Sequence, residues 1–421
     1  MTCLTIQLGV TALLMLIVLT CLADEIRPTG KIKSFVGTLP PGLVMDLEKT
    51  DPYGLYPMDW VISPKGPVVI RREGPDGPTY QEALGYKFAI NGMKFPRIVR
   101  LDDGRLILGA GAMLHPGYIE DPINYNMDGF IIYSPDEGQS WSQPKMRDHW
   151  GFMVNLGGDH VLDFHGERIG SSRDGGRTWG DYHSIPPLPD GRPTYHHGSV
   201  LVEGNVISAI YYCEETNREW GGTSVLRRSH DGGKTWPENL FLPTEWKTSE
   251  GSLTRAHDGA LVATLRTAQA PGFEEYSDHW RRITTARSSD NGKTWTDHQV
   301  HFRFGKVHAT LLTLPSGDIL MTYIARIGEL DGMTYHGTEA VLSRDHGRTW
   351  DWEHRYILFR WHNQKMHSPD SVLLSDGRIL TIFQHDDSAD WNNREGAWDS
   401  GKWKGCMNLV GNVSVVIWSP K

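Results

Sequence analysis

SRDGGRTW, residues 172–179, is the stretch from which the architecture is read. Its parts are those of a self-stapled turn. An Asp side chain accepts hydrogen bonds from turn N–H groups, Gly supplies a positive φ, Thr or Ser adds a second local bond, and Trp lays an apolar face over the bend. Four further copies follow the same plan: SPDEGQSW (134–141), SHDGGKTW (229–236), SSDNGKTW (288–295) and SRDHGRTW (343–350). Their aspartates, Asp136, Asp174, Asp231, Asp290 and Asp345, lie 38, 57, 59 and 55 residues apart. A period near 50 marks a propeller or solenoid before it marks separate domains. β-like runs such as 223–226 and 283–286 lead into the copies. Each copy is therefore read as a strand–turn–strand staple with a structural role.

A second element repeats upstream of the staples: an apolar run, a turn ending in Gly, then another apolar run. It reads FPRIVRLDDGRLILGAG from Phe95, HHGSVLVEGNVISAIYY from His196, EGSLTRAHDGALVATL from Glu250, HATLLTLPSGDILMTY from His308 and HSPDSVLLSDGRILTIF from His367. DHVLDFHGERIG from Asp159 is a reduced version. Composition and turn chemistry make each a β-hairpin. Six hairpins and five staples predict an all-β fold, a six-bladed β-propeller, with a seven-bladed ring as the alternative if residues 24–94 form a blade of their own. A blade needs about four strands. The final unit ends in LVGNVSVVIWSPK without a staple, so it is expected to be completed from the N-terminal region, around 66–72. Closure of that kind removes exposed sheet edges.

Composition bounds the rest. The chain has 421 residues, 39% hydrophobic and 22% charged, with a net charge of −9. That is ordinary globular composition without a basic stripe, and a nucleic-acid partner is not expected. Residues 8–19 are almost wholly apolar and Ala23 precedes Asp24. Residues 1–23 read as a secretory signal, with a membrane tether as the alternative because no Lys or Arg precedes the apolar run. The expected organisation is a signal at 1–23, a closing segment at 24–94 and the propeller at 95–421, in a secreted or periplasmic monomer. Beyond the signal only Cys213 and Cys406 remain. They allow one bridge or two free thiols, and the lack of a C-x-x-C argues against a thiolate zinc site. No metal and no cofactor is expected.

Ser-x-Asp-x-Gly-x-Thr-Trp resembles the Asp-box of the sialidase (neuraminidase) superfamily, and FPRIVRLDDGRLIL resembles its first-blade arginine motif. The resemblance covers roughly 95–421 and implies a six-bladed propeller. It also implies a tyrosine nucleophile, a glutamate that activates it, an acid/base aspartate and three arginines. Arg97 fits the first arginine, although Val99 stands where the family prefers Pro. Arg282 lies near the place of the second. The third would fall near His336 or move to Arg326. His367-Ser368 stands for the family's Tyr-Ser, and Arg255 stands for its glutamate, with Glu250 five residues earlier. Asp121 and Asp128 are loose candidates for the acid/base residue.

Strand parity locates the site without the family. In an antiparallel blade the tight hairpins and the staples share one face, and the long connections after each second strand lie on the other. These connections are 115–128, 213–222, 267–280, 326–337 and 385–403, rich in aromatic, acidic and His residues. The second unit lacks one, so one side of the rim is expected to be low. Counting back from each hairpin Gly, seven residues give Arg97, Asp159, His197, Ser252, Thr310 and Asp370. Nine residues give Phe95, Gly157, Tyr195, Glu250, His308 and Ser368. Period two puts both sets on one strand face, at a shared axial mouth. Glu250, His308, His367 and Asp370 are the candidate catalytic residues. Arg97, His197, Arg266 and Arg282 are the candidate substrate-binding residues, because paired guanidinium donors suit a carboxylate. The functional expectation is a sialidase-like exo-glycosidase acting on an acidic sugar or oligosaccharide. The alternatives are a noncatalytic carbohydrate-binding propeller, suggested by the broken nucleophile motif, and a lyase acting on uronic-acid glycans.

Overall fold

The computed structural model describes residues 60–420 except 63–65, 91–92, 113–128, 143–144, 148–150, 166–167, 214–221, 269, 271–279, 331–332, 362–365 and 387–410. The expected signal at 1–23, Cys406 and the loose acid/base candidates Asp121 and Asp128 lie outside the described residues.

Three strands come first: β1 (Trp60–Ile62), β2 (Gly66–Arg72) and β3 (Thr79–Ile90). Four meandering sheets follow. The first is β4 (Met93–Arg100), β5 (Leu106–Ala112), β6 (Gly129–Ser134) and β7 (Lys145–Arg147). The second is β8 (Phe152–Gly157), β9 (His160–His165), β10 (Arg168–Ser172) and β11 (Gly180–Ser184). The third is β12 (Tyr195–His196), β13 (Leu201–Glu203), β14 (Val206–Cys213), β15 (Thr223–Ser229) and β16 (Glu238–Phe241). The fourth is β17 (Thr248–Arg255), β18 (Leu261–Thr267), β19 (Ile283–Ser288) and β20 (Thr296–His301). The remaining strands are β21 (Lys306–Thr313), β22 (Ile319–Leu330), β23 (Met333–Ser343), β24 (Tyr356–Trp361), β25 (Met366–Leu373), β26 (Ile379–Asp386) and β27 (Gly411–Trp418). They join the N-terminal strands in one ten-stranded sheet, ordered β21-β22-β23-β24-β2-β3-β27-β26-β25, with β1 on β3.

The arrangement is all-β and propeller-like. The inner strands touch in succession: β4 packs beside β8, β8 beside β13, β14 beside β17, β17 beside β21, β21 beside β25, and β25 beside β4. The core is correspondingly divided into wedges between sheets. One wedge joins Ile98, Leu106 and Leu108 to Leu380, Ile382, Val413 and Val415, and another joins Phe164 and Leu162 to Ile207 and Tyr211. This explains the apolar runs. Every residue of β18 and β19 is buried, because both faces of a middle strand meet neighbours, whereas β20 at the rim is mostly exposed.

The staples close as their chemistry requires. Asp174 Oδ1 accepts the Thr178 N–H at 2.9 Å and Oδ2 accepts its hydroxyl at 2.6 Å, while the Gly176 N–H donates to Ser172 Oγ at 2.8 Å and Trp179 Nε1 to the Gly176 carbonyl at 2.8 Å. Gly176 has φ 80°, and a Cβ there would meet Ile107 Cδ1 of the preceding sheet at 2.9 Å. The equivalent Gly233 and Gly347 sit against Leu162 and Val262, and Gly138 sits against Leu380 of the ten-stranded sheet. Each staple thus clips its own sheet to the one before it. Hairpin turns lie at the same end: Glu137 of the first staple accepts from Ser375 N–H at 3.1 Å, and Asp258 accepts from Arg348 of the fifth at 3.0 Å.

One expected hairpin is corrected. The turn of the second sheet is Gly158–Asp159, between β8 and β9, and not the later Gly166. Asp159 is therefore exposed at the staple end, paired with Arg105 of the neighbouring hairpin, and does not face the axial mouth. The connection that follows β9 is two residues long.

Candidate active site

The opposite end of the inner strands carries a repeated irregularity. The ladder slips between Lys94 and Arg97 on β4, between Ser249 and Gly251 on β17, between Val307 and Thr310 on β21, and between His367 and Asp370 on β25. Within each slip sits a non-glycine residue of positive φ: Phe95 (52°), Glu250 (27°), His308 (51°) and Ser368 (43°). All four are nine residues before their hairpin Gly. A left-handed backbone costs an L-residue roughly 1–2 kcal/mol, and a bulge re-aims the side chain it carries. The strict period-two expectation fails here for that reason.

The bulges bring Glu250 and His308 together. His308 Nδ1 lies 2.7 Å from Glu250 Oε2, and Arg266 Nη2 from β18 lies 2.9 Å from Glu250 Oε1. All three side chains are nearly buried. Burial alone would raise the Glu250 pKa, but Arg266, then the charge and hydrogen bond of His308, outweigh it and hold the carboxyl well below its usual range. His197 is held neutral: burial, reinforced by Arg97, Arg266 and His308 against the pull of Glu250, brings it down to about 4.

Arg97 is 3% exposed. Its Nη1 donates to the carbonyls of Pro96 at 2.9 Å and Ser368 at 3.3 Å, and its guanidinium lies 3.7 Å from the Phe152 ring centroid. Nε has no hydrogen-bond partner among the described residues. Burial lowers its pKa to about 10, opposed by Asp370 and Glu250, so it remains a cation at neutral pH. Asp370 bonds to backbone N–H groups. Its Oδ2 accepts Ile98 N–H and its Oδ1 accepts Ser371 N–H, each at 3.0 Å, which ties β25 to β4 beneath Arg97. Burial raises its pKa, and Arg97 and those two N–H groups oppose the rise.

Of the eight candidate residues, Glu250, His308 and Arg266 form one contact cluster, and Arg97 and His197 lie within its electrostatic reach. Asp370 is in reach of Arg97. His367 stands in the β25 bulge opposite Gln384, and the position of its side chain lies outside the described residues. Arg282 is set apart: Arg266 pairs with Ile283, so Arg282 belongs with Thr267 on the other face of the sheet. Residues missed in the sequence are Phe152, which carries Arg97, and Gln384, a fully buried side chain whose Oε1 accepts the Phe95 N–H at 3.1 Å and so holds the first bulge. Phe152 was hidden by the misplaced second hairpin. Among the described residues no group of three His, Cys, Asp or Glu side chains is placed to hold a metal ion.

No protein-family model matches the chain. A sialidase of Bacteroides fragilis (strain YCH46) is 21% identical over 271 residues, 62% of this chain and 45% of that protein, so the chain spans less than half the length of that relative. Among solved structures, a protein of unknown function from Dyadobacter fermentans superposes with a TM-score of 0.58 at 18% identity, covering 78% of this chain and 95% of its own. The NanB sialidase of Streptococcus pneumoniae gives 0.53 at 12% identity, covering 78% of this chain and 68% of that one. In its fold, a propeller-like set of sheets, the chain is similar to these solved structures, a sialidase among them.

Proposed function

We propose that the protein is a glycoside hydrolase-like enzyme that releases an acidic sugar from a glycan, working at the end of the inner strands opposite the staples. The observation that carries this reading is the Glu250–His308 contact of 2.7 Å beside two buried arginines. Glu250 accepts the Nδ1–H of His308, which leaves Nε2 as the nitrogen that takes a proton. In hydrolysis that proton comes from water as its oxygen attacks the anomeric carbon. The leaving oxygen takes a proton from a second group, for which His367 in the equivalent β25 bulge is the candidate. Arg97 is the anion anchor, since its Nε has no hydrogen-bond partner among the described residues and a planar fork meets a carboxylate in pairs. Arg266 keeps Glu250 ionised.

Three further readings belong with this one. The ten-stranded sheet is read as two blades joined at the rim, making six blades in all; the unbroken circuit of inner-strand contacts supports it. The segment before Phe95 is the closing element, supported by the pairing of β3 with β27. Residues 1–23 direct secretion.

A lyase acting on a uronic-acid glycan is the second reading. It is favoured by one feature: both oxygens of Glu250 are engaged, so the proton acceptor is a histidine and not a free carboxylate. The test is turnover of aryl-sialosides and of a panel of acidic polysaccharides by the full chain. Release of free acidic sugar without new near-ultraviolet absorbance supports hydrolysis. Growth of that absorbance, from a new C=C bond, supports the lyase. Silence on all of them from folded protein overturns catalysis.

A further inference from the structure

We propose that the mouth carries a second subsite, an aromatic platform on the third sheet that stacks the uncharged sugar next to the acidic one. It rests on the glycan-active reading of the same mouth. Tyr195 opens β12 and Tyr212 lies directly across from it on β14, with ring centroids 5.8 Å apart. Tyr212 is 6.3 Å from the ring of His197, and His197 is 5.7 Å from Phe95 and 6.3 Å from Phe152. Phe152 is the ring on which Arg97 rests. An unbroken run of rings therefore leads from the anion anchor outward to Tyr195, which is 40% exposed.

The occupant follows from the chemistry of the run. It offers aromatic faces and phenolic hydroxyls, and its imidazole, His197, is neutral above about pH 4. A pyranose matches that surface: its axial C–H groups lie against an aromatic face and its hydroxyls meet the phenols. A charged sugar gains nothing there.

Ligand-observed NMR of the full chain with lactose and with cellobiose tests the platform. Wild type is expected to saturate the sugar C–H protons, and Tyr195→Phe, which keeps the ring face and loses one hydroxyl contact, is expected to bind within about threefold of it. Tyr195→Ala is expected to weaken binding about tenfold, with Tyr212→Ala behaving alike. No binding of either disaccharide to wild type, or undiminished binding to folded Tyr195→Ala, overturns the platform. Disaccharide binding that responds to Tyr195 but is accompanied by no turnover of any acidic glycan overturns the enzyme reading and leaves the platform standing.

Discussion

The two ends of the inner strands are built from the same repeat and treat it in opposite ways. At the staple end every copy has a glycine at positive φ, such as Gly176, three copies add a second left-handed residue just before it, Glu137, Asn291 or His346, and polar groups are satisfied within their own turn, as in the four hydrogen bonds around Asp174. At the mouth, positive φ falls on Phe95, Glu250, His308 and Ser368, and polar groups reach across to neighbouring sheets, Glu250 to His308 and Arg97 to the Ser368 carbonyl. At one end the left-handed backbone closes a local turn. At the other it is retained where it aims side chains across the axis. The repetition holds the ring, and the departures from it form the site.

The largest expected effect is at the mouth. Glu250→Gln removes the carboxylate that holds Nδ1–H of His308, and turnover should fall by about 10³-fold, within the usual range for loss of acid–base function, with an unchanged circular-dichroism spectrum. A loss of fold instead would move Glu250 to the structural side of the comparison. Arg97→Lys keeps the charge and loses the planar fork, so kcat/KM on an acidic substrate should drop about 10²-fold, mostly through KM. At the staple end the expectation reverses. Gly347→Ala puts a Cβ 2.7 Å from Val262 at φ 83°, and should cost about 2–3 kcal/mol in denaturant melts while leaving turnover per folded molecule unchanged. Gln384→Leu releases the Phe95 bulge and should cut turnover about tenfold with a smaller change in melting.

The smallest effect expected is in acid. Asp174, with burial overcome by the hydrogen bonds of Thr178, and Asp231, through those of Thr235, have pKa values lowered to about 2. A carboxyl depressed on folding contributes stability above its unfolded pKa and loses it as pH falls through the folded value. Staple stability should therefore persist at pH 5 and decline between about pH 4 and pH 2, read by circular dichroism. Asp231→Asn should flatten that decline slightly.

The staples were legible because their physics is local: eight residues contain donors, acceptors, the positive-φ glycine and the cover. The mouth was legible in part, since counting from the hairpin glycines picked Glu250 and His308 from distant sheets. The count failed on the second sheet, where NLGGDHVLDFHGERIG offers two glycine positions and the first, not the second, joins β8 to β9. The bulges left no mark in the sequence, because Phe, Glu, His and Ser are not residues that announce a left-handed backbone. Arg282 was misjudged for a related reason: adjacency to β19 says nothing of face until the pairing of Arg266 with Ile283 is known.

The pairing of β3 with β27 has a consequence for how the molecule is made. Residues 79–90 emerge from the ribosome long before residues 411–418, the strand they must zip to. Until then an open sheet edge waits while the sheets between 93 and 301 assemble behind it. The final latch is a long-range event, slow by nature and vulnerable to capture by another chain's edge, so yield should depend on how well that early hairpin is shielded during translation.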